Sequence, residues 1–128
     1  MNEFLHLVSK ALHLKAVRYS GSVDRIKKVA VCGGSGSILK KDAIAAGVQA
    51  FVTSDIKYHD YFLEKENFML LDVGHYESEY PMVEALKNEL SEAFEQIDVL
   101  ITQRITNPMN VYLSDQELKT HQIPEKHT

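Results

Sequence analysis

"KKVAVCGGSGSILKKDAIAAG", Lys27 to Gly47, is the stretch whose reading decides the fold. "KKVAVCG" (27–33) is a continuous apolar run closed by glycine, the pattern of a strand buried on both faces in a parallel sheet. "ILKKDAIAAG" (38–47) sets Ile38, Leu39 and Ala43 or Ile44 on one side and Lys40, Lys41 and Asp42 on the other, with Gly47 placed to end a helix. Between them, "CGGSGS" (32–37) hands a strand over to a helix.

The same alternation continues outward. Downstream, "QAFVTSD" (49–55) predicts a buried strand, "YHDYFLEKEN" (58–67) a short helix and "FMLLDVG" (68–74) a third strand. "PMVEALKNELSEAFEQ" (81–96) predicts a long helix, with Met82, Val83, Leu86, Leu90 and Phe94 at 3.6-residue spacing, and "DVLITQR" (98–104) a final strand. Upstream, Phe4, Leu5, Val8, Ala11 and Leu12 recur at helical spacing over residues 3–13, and "KAVRYSG" (15–21) predicts a short strand ended by a Ser-Gly-Ser turn. Strands alternating with helices imply α/β architecture: successive βαβ units, and a largely parallel or mixed sheet with helices packed on it. The segment after Arg104 is polar and carries two of the three prolines, so it is expected to be irregular and to end in a mobile tail over about 114–128 of a single domain spanning 1–128.

Composition limits what such a domain does. Of 128 residues, 45% are hydrophobic and 25% charged, the balance of a globular chain. The formal net charge of −4 offers no bulk field for a polyanion, which argues against nucleic acid as a partner. One cysteine, Cys32, makes no internal disulfide possible; it reads as a small apolar packing residue rather than a nucleophile, and a cytoplasmic location is expected. No basic segment leads into an apolar stretch at the N-terminus, and no apolar run approaches the ~20 residues of a membrane span, so neither a signal peptide nor a membrane partner is expected.

In open parallel sheets ligands collect beyond the carboxyl ends of the strands, and three polar loops fall there. Gly33, Gly34, Ser35, Gly36 and Ser37 form a possible anion loop, since unpaired amides before a helix attract negative charge; the spacing matches neither phosphate-binding glycine signature, and a tight turn explains the glycines equally well. "TSDIKYHD" (53–60) supplies Asp55, Lys57, His59 and Asp60, candidates for metal binding or proton transfer, with Asp55 alternatively a helix cap and the others solvated helix residues. "DVGHYESE" (72–79) spaces His75 and Glu79 so that one helical face carries both, a donor set suited to zinc, manganese or iron; Pro81 leaves open whether His75 stands on the helix or on the loop before it.

"VAVCGGSGS", "AFVTSDIKYHD", "DVGHYESE" and "ITNPMNVY", in this order, resemble the C-terminal half of the NGG-interacting-factor-three-like family, also known as GTP cyclohydrolase I type 2 homologues, over about Arg18 to Tyr112. Ser54 departs from that pattern, which usually has glycine there. The resemblance implies a divalent-metal-dependent hydrolase of the GTP cyclohydrolase kind, acting on a nucleotide-like substrate, with two metals per complete site and a ring-shaped homo-hexamer. His75 and Glu79 match the family's C-terminal metal ligands. Asp55, Lys57 and His59 then become neighbouring acid/base or substrate-orienting groups. The other ligands belong to an N-terminal lobe whose paired-histidine motif has no match here, and His6 and His13 do not reproduce it. The chain is therefore expected to carry half a site, completed by a partner lobe, or else to be a non-catalytic binding or assembly module.

Overall fold

The computed structural model describes residues 1–114. The expected tail of about 114–128 therefore falls, apart from Ser114, outside the described residues. Helix α1 (Asn2–Ala11) is followed by strands β1 (Arg18–Ser22) and β2 (Val29–Ser35), a 3-10 turn over Ser37–Leu39, helix α2 (Lys40–Ala45) and strand β3 (Ala50–Ser54). A second 3-10 turn, Tyr58–Tyr61, leads to strand β4 (Phe68–Asp72), helix α3 (His75–Glu79) and helix α4 (Pro81–Ala93).

The sheet is mixed, in the order β1-β4-β3-β2, with β2, β3 and β4 parallel and β1 antiparallel to β4. Strands β3 and β4 are buried at every position, and their side chains alternate between two cores. Ala50, Val52, Met69 and Leu71 meet Val8 and Val23, with Phe4 and Leu5 of α1, and Leu12 just after it, packed against them. Phe51, Phe68 and Leu70 face the other way, onto Ala43 of α2, Val48 and Ile56. Two interleaved apolar registers, one per face, explain why the sequence of these strands is unbroken rather than alternating.

Four expectations are corrected. "KKVAVCG" is not buried on both faces: β2 is an edge strand whose Ala30 and Cys32 pack inward while Val31 is 73% exposed. Residues 58–67 form only one 3-10 turn, because Phe62 takes an extended backbone and Leu63 turns into the second core. "DVLITQR" makes no strand: residues 98–104 pair with none of the four strands, and an apolar β-former without a partner gains no ladder hydrogen bonds. The helix expected over 81–96 ends at Ala93, with Met82, Val83, Leu86, Leu90 and Phe94 all exposed. Cys32 is a half-buried free thiol against the second core.

Candidate functional site

Three loops leave the carboxyl ends of β2, β3 and β4, and the structure draws them together. Past its last pair with β4, the chain at Asp55 adopts φ 54°, a left-handed conformation that aspartate tolerates better than most residues, and its side chain meets His75. Gly74, at φ 86°, makes the corresponding turn after β4 and starts α3 at His75. One turn of α3 brings Glu79 back over His75, so the helix itself supplies the i, i+4 relation expected from the sequence, and Pro81 begins α4 without disturbing it.

The imidazole is held from both sides. Its Nδ1 lies 2.6 Å from Asp55 Oδ2, and its Nε2 lies 3.2 Å from Glu79 Oε1. A carboxylate only accepts, so Nδ1 carries the proton and donates to Asp55. All three side chains are about half exposed, and the His75 pKa is raised above the ordinary histidine value, first by the hydrogen bond to Asp55 and then by the negative charge of Glu79. When the ring is neutral, the lone pair of Nε2 faces a carboxylate oxygen, a repulsion relieved either by a proton on Nε2, which the raised pKa favours, or by a metal ion between them.

Distance tests the fit to a metal. Two donors each about 2.1 Å from an ion, at octahedral or tetrahedral angles, stand about 3.0 to 3.4 Å apart. The observed 3.2 Å between Nε2 and Oε1 fits that span. The Nδ1–H to carboxylate bond is the outer contact that metal-bound histidines make. Among the described residues no group of three or more His, Cys, Asp or Glu side chains is arranged to hold a metal ion, so the pair is a partial donor set.

The glycine loop buttresses this pair. Gly34 donates its amide to Ser78 Oγ at 2.8 Å, and Ser78 Oγ donates to the His75 carbonyl. Gly36 donates to Thr53 Oγ1 at 3.0 Å, while Thr53 and Ser54 hydroxyls both donate to the Gly34 carbonyl. Ser54, where the resemblance leads one to expect glycine, is fully buried and adds one of these bonds. Gly34 sits at φ 66°, a backbone that resists any side chain, and a Cβ there would stand 2.5 Å from Glu79 Oε1 and displace that carboxylate. Of the five possible anion-loop residues, Gly34 and Gly36 thus direct their amides inward.

Lys57 and His59 lie elsewhere. Both are exposed at the second 3-10 turn, where the His59 ring packs against Tyr58 and Phe62; among the described residues neither side chain bonds to the His75 cluster. Asp72, which sequence reasoning passed over, is buried at the end of β4 and bonds to Arg18, Tyr61 and two loop amides. Its signal was an acid closing the apolar run "FMLL".

A mixed α/β chain with a histidine between two carboxylates, buttressed by a glycine loop at the carboxyl edge of its parallel strands, is the class that fold and cluster define. The chain belongs to the Duf34/NIF3 (NGG1p interacting factor 3) family, whose model matches residues 1–108 and so takes in α1 as well. It is 47% identical over 92 residues to a GTP cyclohydrolase 1 type 2 homolog of Staphylococcus epidermidis, covering 70% of this chain and 25% of that protein. The crystal structure of a Staphylococcus aureus hypothetical protein superposes with a TM-score of 0.78 at 34% identity, over 88% of this chain and 39% of that one. A Bacillus cereus protein related to NIF3 gives a TM-score of 0.74 at 25% identity, over 86% and 32%. The chain therefore spans less than half the length of these relatives. Among the described residues no helix is long and apolar enough to cross a membrane.

Proposed function

We propose that this chain supplies two ligands, His75 Nε2 and Glu79 Oε1, to a divalent-metal site completed by protein outside it, and that the complete site is a metal-dependent hydrolase of the GTP cyclohydrolase kind acting on a nucleotide-like substrate. The observation that carries this reading is the 3.2 Å approach of those atoms with Nδ1 already committed to Asp55. Zinc, manganese or iron suits an imidazole and a carboxylate. Such metals, when bound, acidify a water and polarise the group it attacks.

The chain's own residues have distinct tasks. Asp55 fixes the ring tautomer and makes Nε2 a better donor. Glu79 would keep a second carboxylate oxygen with which to hold a further metal ion. Lys57 and His59, exposed on the next turn, are assigned to orienting substrate or moving protons, and residues 33–37 to supporting the metal rim. A reducing, cytoplasmic setting suits the free Cys32 thiol.

Zinc titration of the purified chain, followed by NMR of its histidine rings, tests the reading. His75 is expected to shift first, with His6, His13 and His59 as internal controls, and the response is expected to vanish in Glu79→Ala. Equal shifts at all histidines would overturn it.

One observation favours a second reading, a non-catalytic assembly module: α4 exposes an apolar stripe, Met82, Val83, Leu86 and Leu90. On either reading the stripe is assigned to contact with a partner lobe or another copy in a homo-oligomer, for which the family resemblance implies a ring-shaped hexamer. Sedimentation of the chain with and without Leu86→Glu measures it; metal-free, inert and self-associating protein would favour the second reading.

A further inference from the structure

We infer that Asp72 is the positioning residue of the His75 cluster, holding Asp55 and His75 in register from beneath. The inference deepens the proposed metal site and rests on that reading for its consequence, though not for its geometry.

The parallel ladder between β3 and β4 ends at Thr53 and Asp72, with one further bond from the Val73 amide to the Thr53 carbonyl at 3.0 Å. Beyond it both chains turn through left-handed residues, Asp55 and Gly74, and the ladder no longer fixes one loop against the other. The Asp72 carboxylate spans this gap. Oδ1 accepts the Gly74 amide at 3.2 Å, and Oδ2 accepts the Ile56 amide at 3.4 Å. Gly74 is the residue before His75 and Ile56 the residue after Asp55, so one carboxyl group grips the backbone next to each half of the 2.6 Å pair.

Two further donors make this position tenable for a buried charge. Arg18 Nη2 donates to Oδ2 at 2.8 Å, and the Tyr61 hydroxyl donates to it at 3.2 Å. With the side chain only 2% exposed, an unsatisfied carboxylate here would be strongly disfavoured. Arg18 and Tyr61 therefore satisfy the group, while the two amides are what it positions. Among the described residues neither the Arg18 nor the Tyr61 side chain hydrogen-bonds to Asp55 or His75.

That division makes the inference testable against a plain stability role. Asp72→Asn keeps the shape but cannot accept at both oxygens; Arg18→Ala and Tyr61→Phe weaken only the satisfying arms. Long-range proton–nitrogen NMR of the neutral apo-protein reads the His75 tautomer directly. The wild type is expected to hold the Nδ1–H form, which a free imidazole side chain disfavours, and Asp72→Asn to revert toward Nε2–H while Arg18→Ala and Tyr61→Phe retain Nδ1–H. Zinc affinity is expected to fall about 10- to 100-fold in Asp72→Asn, the range typical of lost outer-shell support, and to change far less in the other two. Asp72→Ser, which leaves a small acceptor, is read the same way if the amide variant unfolds. An unchanged tautomer in Asp72→Asn, or equal losses in Arg18→Ala at matched melting temperature, would overturn the inference. Absence of any zinc response in the wild type would sink the metal reading alone, because the tautomer still decides the positioning role.

Discussion

Residues 1–80 and helix α4, Pro81–Ala93, carry equally clear apolar periodicity, yet they end in opposite states. Among the described residues every buried hydrophobic one lies between Val8 and Val73, whereas α4 has no buried residue and the segment after it exposes Leu100, Ile105 and Met109. The difference is partnership. Strands β3 and β4 meet a helix on each face and a strand on each side; α4 touches little beyond α3, to which it is joined. A helical apolar stripe says that a face favours burial, but not against what.

The sharpest way to break this contrast is to shorten a leucine in each region. Leu70→Ala, at a fully buried position of β4, is expected to cost about 2–5 kcal/mol in urea unfolding, whereas Leu86→Ala in α4 is expected to stay within about 0.5 kcal/mol. Comparable losses would show that α4 is packed after all. Next in size is Gly34→Ala, where a left-handed backbone and the Glu79 carboxylate both resist a side chain; a loss of about 1–3 kcal/mol is expected, together with a weaker zinc response at His75.

A smaller effect, again confined to the packed region, comes from Tyr61. Burial, then the charge of Asp72, raises its pKa to about 12. A raised native pKa stabilises below the unfolded value, about 10, and that contribution is lost as pH climbs through about 12. Melting temperature is therefore expected to fall across that alkaline window, and Tyr61→Phe to flatten the fall. Least of all, Leu86→Glu is expected to leave the melting temperature unchanged while reducing self-association in sedimentation, which locates the role of α4 outside the folded core.

Much of the sheet was legible because its signals are local. The apolar runs at 50–54 and 68–72 and the helical spacing of α1 depend on nothing distant. The pairing of His75 with Glu79 was legible for the same reason, four residues on one helix turn. What escaped was whatever depends on a neighbour. Edge position exposed Val31 although its strand reads as buried, and "DVLITQR" has the composition of a strand but pairs with neither edge of the sheet. Asp55 was expected as a proton-transfer group; that it locks His75 follows from two loops meeting 20 residues apart in sequence, which no spacing rule reveals. Asp72 was hidden because its four donors come from β1 and two different loops.

The left-handed backbone at Asp55 imposes a double filter on that position. Glycine and asparagine accept such a turn readily, but neither offers an anionic oxygen to imidazole; glutamate offers one, yet lacks aspartate's ease with the turn. Aspartate alone among the common side chains meets both demands. A saturation library at this codon would therefore separate shape from charge, with glycine and asparagine preserving solubility and glutamate preserving the electrostatics at the expense of the bend.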